Sequence, residues 1–99
     1  MENFNDIINS NQLTLIDFYA TWCGPCKMMH PVLEQLKSEL GDTLRIIKLD
    51  VDKNEALSAQ YRIQSVPTLM LAKGGEILWR QSGAMRLNDL KTIVSQYND

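Results

Sequence analysis

Residues 13–26 read Leu13-Thr14-Leu15-Ile16-Asp17-Phe18-Tyr19-Ala20-Thr21-Trp22-Cys23-Gly24-Pro25-Cys26, a dense apolar run that leads straight into a Cys-x-x-Cys motif. From Leu13 to Tyr19 only Thr14 and Asp17 interrupt the apolar character, which predicts a strand buried on both faces. Beyond the motif, Met29, Val32, Leu33, Leu36 and Leu40 recur at i, i+3, i+4, i+7 and i+11, one stripe of an amphipathic helix. That helix begins at the cysteines, because Pro25 fits a first turn where its missing N–H has no partner to lose. Gly41 marks its stop. Pro31, inside the helix, removes one i→i−4 bond and predicts a kink.

Working outward, Phe4, Ile7 and Ile8 have helical spacing and predict a short first helix. Leu44–Val51 is strand-like, and Asn54 is placed to cap a short helix through Tyr61. Thr68–Ala72 and Glu76–Trp79 flank Lys73-Gly74-Gly75 and read as a hairpin. Leu87, Leu90, Ile93, Val94 and Tyr97 form a last helical stripe. The order α, β, α, β, α, β, β, α is a parallel βαβ unit followed by a hairpin and a closing helix, a mixed α/β architecture. With 99 residues and no repeat or linker, residues 1–99 are expected to form one domain.

Composition narrows the function. An apolar fraction of 44% and a charged fraction of 22% are those of an ordinary globular chain. Ten basic against 12 acidic side chains give a net charge of −2 with no basic run, which argues against a nucleic-acid partner. No window approaches the ~20 apolar residues of a membrane helix. The start Met1-Glu2-Asn3-Phe4-Asn5-Asp6 lacks a secretory pattern, so the expected compartment is the cytoplasm, with no membrane association. Two cysteines three positions apart constrain little of an unfolded chain, so redox or metal chemistry is expected of them rather than a structural staple.

At a helix N-terminus, the dipole and the free N–H groups of the first turn stabilise a thiolate on Cys23. Cys26 lies one turn later on the same face and within disulfide reach. Cys23 is thus expected to attack a substrate disulfide and Cys26 to resolve the mixed disulfide. Zinc is the rival reading, with Cys23, Cys26 and His30 as ligand types. A structural zinc site takes four protein ligands, and the chain has no third cysteine and no second histidine. Haem attachment requires histidine directly after the second cysteine, where Lys27 stands. No metal site is expected.

The segment Trp22-Cys23-Gly24-Pro25-Cys26-Lys27, preceded by Asp17-Phe18-Tyr19-Ala20, resembles the active-site segment of the thioredoxin family. Ser65-Val66-Pro67-Thr68 resembles that family's cis-proline loop, and Gly83-Ala84 its late substrate-contact loop. The likeness runs from about Phe4 to the C-terminus. Gly24-Pro25 between the cysteines matches thioredoxins, where protein disulfide isomerases usually show Gly-His and glutaredoxins Pro-Tyr.

The resemblance implies a thioredoxin fold and a protein disulfide reductase that cycles between dithiol and disulfide. It implies that Asp17 is a buried carboxylate beneath the resolving cysteine and that Lys48 on the neighbouring strand pairs with it. Burial would raise the Asp17 pKa and Lys48 would pull it back. Trp22, Gly24, Pro25, Val66, Pro67, Gly83 and Ala84 are the implied substrate-binding residues, with Pro67 in the cis form. No cofactor is expected, since no Gly-x-Gly-x-x-Gly fingerprint is present. Electrons would come from a thioredoxin reductase-type donor and pass to protein disulfides such as those of peroxiredoxins and reductases, with the chain acting as a monomer. The family usually carries a strand before the first helix, and this chain starts too late for it. A four-stranded mixed sheet flanked by helices is therefore expected, with the Leu44–Val51 strand at an edge. Tyr19, Ala72 and Trp79 depart from common family choices and bear on stability and substrate preference. Two other functions use the same residues: a thiol oxidase or isomerase in a more oxidising compartment, and a surface of Trp22, Pro67 and Gly83 that clamps a partner without turnover.

Overall fold

The computed structural model describes residues 3–98. Its elements are α1 (Phe4–Asn9), β1 (Thr14–Tyr19), α2 (Gly24–Leu40), a 3-10 turn (Gly41–Thr43), β2 (Arg45–Asp50), α3 (Glu55–Gln60), β3 (Thr68–Lys73), β4 (Glu76–Ser82) and α4 (Leu87–Tyr97). The four strands among the described residues form one sheet in the order β2-β1-β3-β4. β1 runs parallel to β2, with Asp17 opposite Lys48, and antiparallel to β3, with Asp17 opposite Leu69. β2 is an edge strand, as expected, and β1 lies inside.

The two faces of β1 explain its unbroken apolar run. Leu15 packs with Met29, Leu33 and Leu36 of α2 and Leu90 and Val94 of α4 on one side. Ile16 and Phe18 pack with Ile7 and Ile8 of α1 on the other, with Tyr61 and Ile63 beside them. Helices on both faces leave β1 no solvated side, so period-two alternation is lost. By the pleat, Asp17 shares the face of Leu15 and lies under α2.

Helix α2 follows its sequence closely. Cys23 is its N-cap and Pro25 lies in the first turn. The assigned helix continues through exposed Pro31 to Leu40, so the missing N–H falls on the side facing water. Gly41 ends it at φ +55°, a left-handed conformation that glycine adopts without a Cβ clash. The Lys37 ammonium donates to the Gly41 and Leu44 carbonyls at 2.9 and 2.7 Å and so closes the helix end.

Three local expectations are corrected. β2 spans Arg45–Asp50, one residue shorter at each end than expected. β4 continues past Trp79 to Ser82, because its register with β3 holds across a bulge near Leu71 and Ala72. Asn54 precedes α3, but its side chain makes no cap; its amide donates to the Asp50 carbonyl at 2.9 Å instead. Helix α1 carries a capping box between Asn3 and Asp6 that the apolar spacing alone did not show. Trp79 is half-buried against the core shared by α2 and α4. Arg80 donates to the carbonyls of Tyr61 and Arg62 and clips the segment after α3 to β4.

Leu33→Ala, at a fully buried point of the α2 stripe, should lower stability by about 2–5 kcal/mol. Glu34→Ala, one residue on and exposed, should stay within about 0.5 kcal/mol. Urea midpoints at constant m-value check both, and equal losses would mean that the stripe does not carry the helix.

Candidate active site

β1 delivers the chain to a turn in which the Cys23 N–H donates to the Ala20 carbonyl at 3.3 Å. Cys23 then caps α2 in an extended conformation, and its Sγ accepts the Cys26 N–H at 3.1 Å. The sulfurs are joined as a disulfide, with Cα atoms 5.3 Å apart, so the structure represents the oxidised form. Cys23 keeps 5% of its surface exposed and Cys26 only 1%, so Cys23 is the more accessible of the two sulfurs. In the dithiol form the same N–H and the helix dipole favour negative charge on the Cys23 sulfur. Gly24 and Pro25 lie exposed in the first turn beside it.

The opposite wall is the loop before β3. The Val66–Pro67 bond is cis, and the Val66 carbonyl oxygen lies 3.6 Å from the Cys23 sulfur. Pro67 is buried, and its carbonyl accepts the Gly83 N–H at 2.8 Å. Gly83 has φ +98°, and no heavy atom lies within 4 Å of where a Cβ would stand. Glycine is needed there for the backbone conformation, and the space above it is open to an approaching chain. Exposed Ala84 follows, and the next N–H, of Met85, donates to the Met29 sulfur at 3.3 Å, tying this loop to α2.

Trp22 is 70% exposed, so it is not core. Its indole N–H donates to the Asp52 carboxylate at 2.8 Å. Together with Val51, Ile63, Gln64, Ser65 and Val66 it lines a concavity beside the motif. Val51, Asp52, Ile63 and Gln64 were not expected at the site. The only signal for them is adjacency, to the end of β2 and to the Ser65-Val66-Pro67 segment.

Asp17 is wholly buried, and neither carboxylate oxygen has a hydrogen-bond partner among the described residues. Burial in the apolar strand pushes its pKa from 3.8 up to about 6, against the opposing pull of the Lys48 charge. The pairing of Lys48 with Asp17 expected from the resemblance is not a contact: the expected pull of Lys48 on the Asp17 pKa is present, but neither Asp17 oxygen has a hydrogen-bond partner among the described residues. Lys48 stands opposite Asp17 in the parallel register, but its ammonium lies 3.0 Å from His30 Nδ1. It acts on Asp17 through space. Among the described residues no group of three or more His, Cys, Asp or Glu side chains could hold a metal ion.

The thioredoxin family model matches residues 1–96 of the chain. Thioredoxin of Haemophilus influenzae is 42% identical over 91 residues, covering 92% of this chain and 85% of its own length. The bifunctional thioredoxin reductase/thioredoxin of Mycobacterium leprae is 43% identical over 99 residues, covering 96% of this chain and 22% of that protein. Among solved structures, oxidised mitochondrial thioredoxin 3 from Saccharomyces cerevisiae superposes with a TM-score of 0.85 at 36% identity, over 94% of this chain and 86% of that one. A chain from a study of thiol resolution in yeast mitochondrial 1-Cys peroxiredoxin via glutathione/thioredoxin systems also superposes at 0.85, with 35% identity over 94% and 86% of the two chains.

A buried carboxylate with a raised pKa holds its proton more tightly in the folded chain than in the unfolded one. Its destabilising effect is absent below pH 3.8, grows as pH rises through the window up to about 6, and is complete above it. A rise from 3.8 to about 6 corresponds to roughly 3 kcal/mol. Asp17→Ala should therefore stabilise the fold by about 1–3 kcal/mol at alkaline pH, and the gain should disappear near ~pH 4. Urea unfolding of wild type and variant across this range checks it; a gain independent of pH would place its origin outside the titration of Asp17.

Proposed function

The chain belongs to the thioredoxin family and is a thiol–disulfide oxidoreductase that reduces protein disulfides, and on that premise we propose how its residues divide the work. The observation that carries the division is the unequal setting of the two sulfurs: Cys23 at the helix cap and slightly open to solvent, Cys26 one turn in and sealed. The Cys23 thiolate attacks one sulfur of the substrate disulfide, a Cys23–substrate bond forms, and the other substrate sulfur leaves as a thiolate and takes up a proton. Cys26 then loses its proton and attacks the Cys23 sulfur. The intramolecular disulfide closes and the second substrate thiolate departs. Two electrons pass to the substrate.

Asp17 receives the Cys26 proton, directly or through one water. A sealed thiol is hard to ionise, and a carboxylate poised near neutrality is a better acceptor than an exposed aspartate. Val66 and Pro67, with Gly83 and Ala84, flank the groove where an extended substrate segment lies, and Trp22 with Gly24 and Pro25 forms its other rim. Lys48 modulates Asp17 across the strands.

Residues 1–99 act as one monomeric domain in electron transport. The donor is a thioredoxin reductase-type enzyme, a reading supported by the fusion of the two activities named in the Mycobacterium leprae relative. Peroxiredoxins are among the acceptors, supported by the similarity to the peroxiredoxin/thioredoxin system structure. A reductant of protein disulfides works where thiols are kept reduced, and the cytoplasm meets that condition. No helix of the described residues is long and apolar enough to cross a membrane.

Cys26→Ser should accumulate a mixed disulfide with a protein substrate, and Cys23→Ser should form none; both should lose essentially all multiple-turnover insulin reduction. Non-reducing electrophoresis with peptide mapping reads the adduct. Trapping by the Cys23→Ser variant would reverse the two assignments.

A further inference from the structure

We propose that His30 is a positioning residue for disulfide exchange: it holds the Lys48 ammonium away from the Asp17 carboxylate and so leaves that base unpaired beneath the cysteines. The inference rests on the reading of Asp17 as the proton acceptor for Cys26.

The geometry sets up a competition. Asp17 and Lys48 are directly opposed on parallel neighbours β1 and β2, so both side chains project to the side covered by α2. Lys48 is exposed, and its charge pulls on the Asp17 carboxyl from the neighbouring strand against the larger effect of burial. Yet among the described residues neither Asp17 oxygen accepts a hydrogen bond, and the ammonium is 3.0 Å from His30 Nδ1. An ammonium has only donors, so in this contact Nδ1 is the acceptor. The imidazole is held for this role. His30 is half-buried on α2, and its ring meets Tyr19 edge-on, with centroids 6.0 Å apart and planes at 75°. Tyr19 is two residues beyond Asp17 on the same face of β1, so one strand carries both the base and the support of the group that draws Lys48 aside.

The charged and titratable groups around Asp17 and Lys48 include a competing carboxylate, Glu34, in reach of the exposed ammonium's groove. From α2 they are Cys26 and His30, with Glu34 and Lys37 further along in the groove they share with Lys48. Lys37 is already bonded to the Gly41 and Leu44 carbonyls. β1 adds Tyr19, and β3 presents apolar Leu69 opposite Asp17. His30 is also one helical turn beyond Cys26, which places it at the edge of the site without touching substrate.

Carbon-13 NMR titration of the Asp17 carboxyl in the reduced protein, together with the pH profile of mixed-disulfide resolution, tests this. In His30→Ala the freed ammonium moves to Asp17, so the carboxyl midpoint and the acid limb of the profile should fall by about one pH unit, the low end of what a close cation does. His30→Gln, which keeps an acceptor, should stay near wild type. In a Lys48→Met background His30→Ala should change neither readout. An unchanged or raised midpoint in His30→Ala overturns the proposal, and so does an equal shift with Lys48 absent, since His30 would then act by packing alone. If Asp17→Asn leaves the resolution profile unchanged while the His30→Ala carboxyl shift is seen, the base assignment fails and the positioning of Lys48 stands.

Discussion

A carboxylate sealed under a helix, with no hydrogen bond to either oxygen among the described residues, is the constraint around which the rest of this structure is arranged. Asp17 would be open to bulk solvent only if β1 were an edge or α2 were lifted, and neither occurs. Its destabilisation, roughly 3 kcal/mol from the rise of its pKa to about 6, is a sizeable part of the ~5–15 kcal/mol that holds a domain together. The fold absorbs it through the apolar contacts on both faces of the same strand. Leu15 on the side of Asp17, and Ile16 and Phe18 on the other, are completely buried. An apolar residue in place of Asp17 would make a more stable protein. Burial raises the Asp17 pKa and destabilises the fold by one and the same desolvation, and on the proposed division of work the raised pKa suits it to accept the resolving thiol's proton.

The seating of α2 that seals Asp17 also positions the sulfurs. Met29, Leu33 and Leu36 press the helix on the sheet, and its N-terminus therefore stops where β1 ends, with Cys23 as the cap. The facing loop is tied down independently. The Pro67 carbonyl takes the Gly83 N–H, and Met85 reaches back to Met29. The two walls of the groove thus belong to the same packed unit. Trp22, exposed yet bonded to Asp52, extends the groove as an oriented apolar plate.

Contacts made between near neighbours, and periodicity, were legible in the sequence. The apolar run at Leu13–Tyr19, the stripe from Met29 to Leu40, the Gly74-Gly75 turn and the Cys-x-x-Cys spacing each correspond to an observed feature, because backbone geometry fixes them within a few residues. The edge placement of β2 and the cis bond before Pro67 followed only with the family resemblance. The choice of side-chain partners was not legible. Lys48 was expected on Asp17 and is found at His30; Asn54 was expected to cap α3 and bonds Asp50. Trp22 meets Asp52 thirty positions away, and Arg80 meets the carbonyls after α3. Each of these depends on which of several reachable acceptors a long or rotatable side chain selects, and tertiary packing decides that. Asp17 was read as buried from its neighbours, but that no hydrogen bond would reach it depends on every element around it at once.

The proposed division of work requires the two sulfurs of one motif to differ in reactivity, Cys23 at the helix cap being the nucleophile and Cys26 behind it the resolving thiol. Iodoacetamide labelling of the freshly reduced protein at mildly acidic pH, followed by peptide mapping over time, measures this directly. Cys23 should take up the label many times faster than Cys26. Equal labelling, or faster labelling of Cys26, would contradict the assignment of nucleophile and resolving thiol.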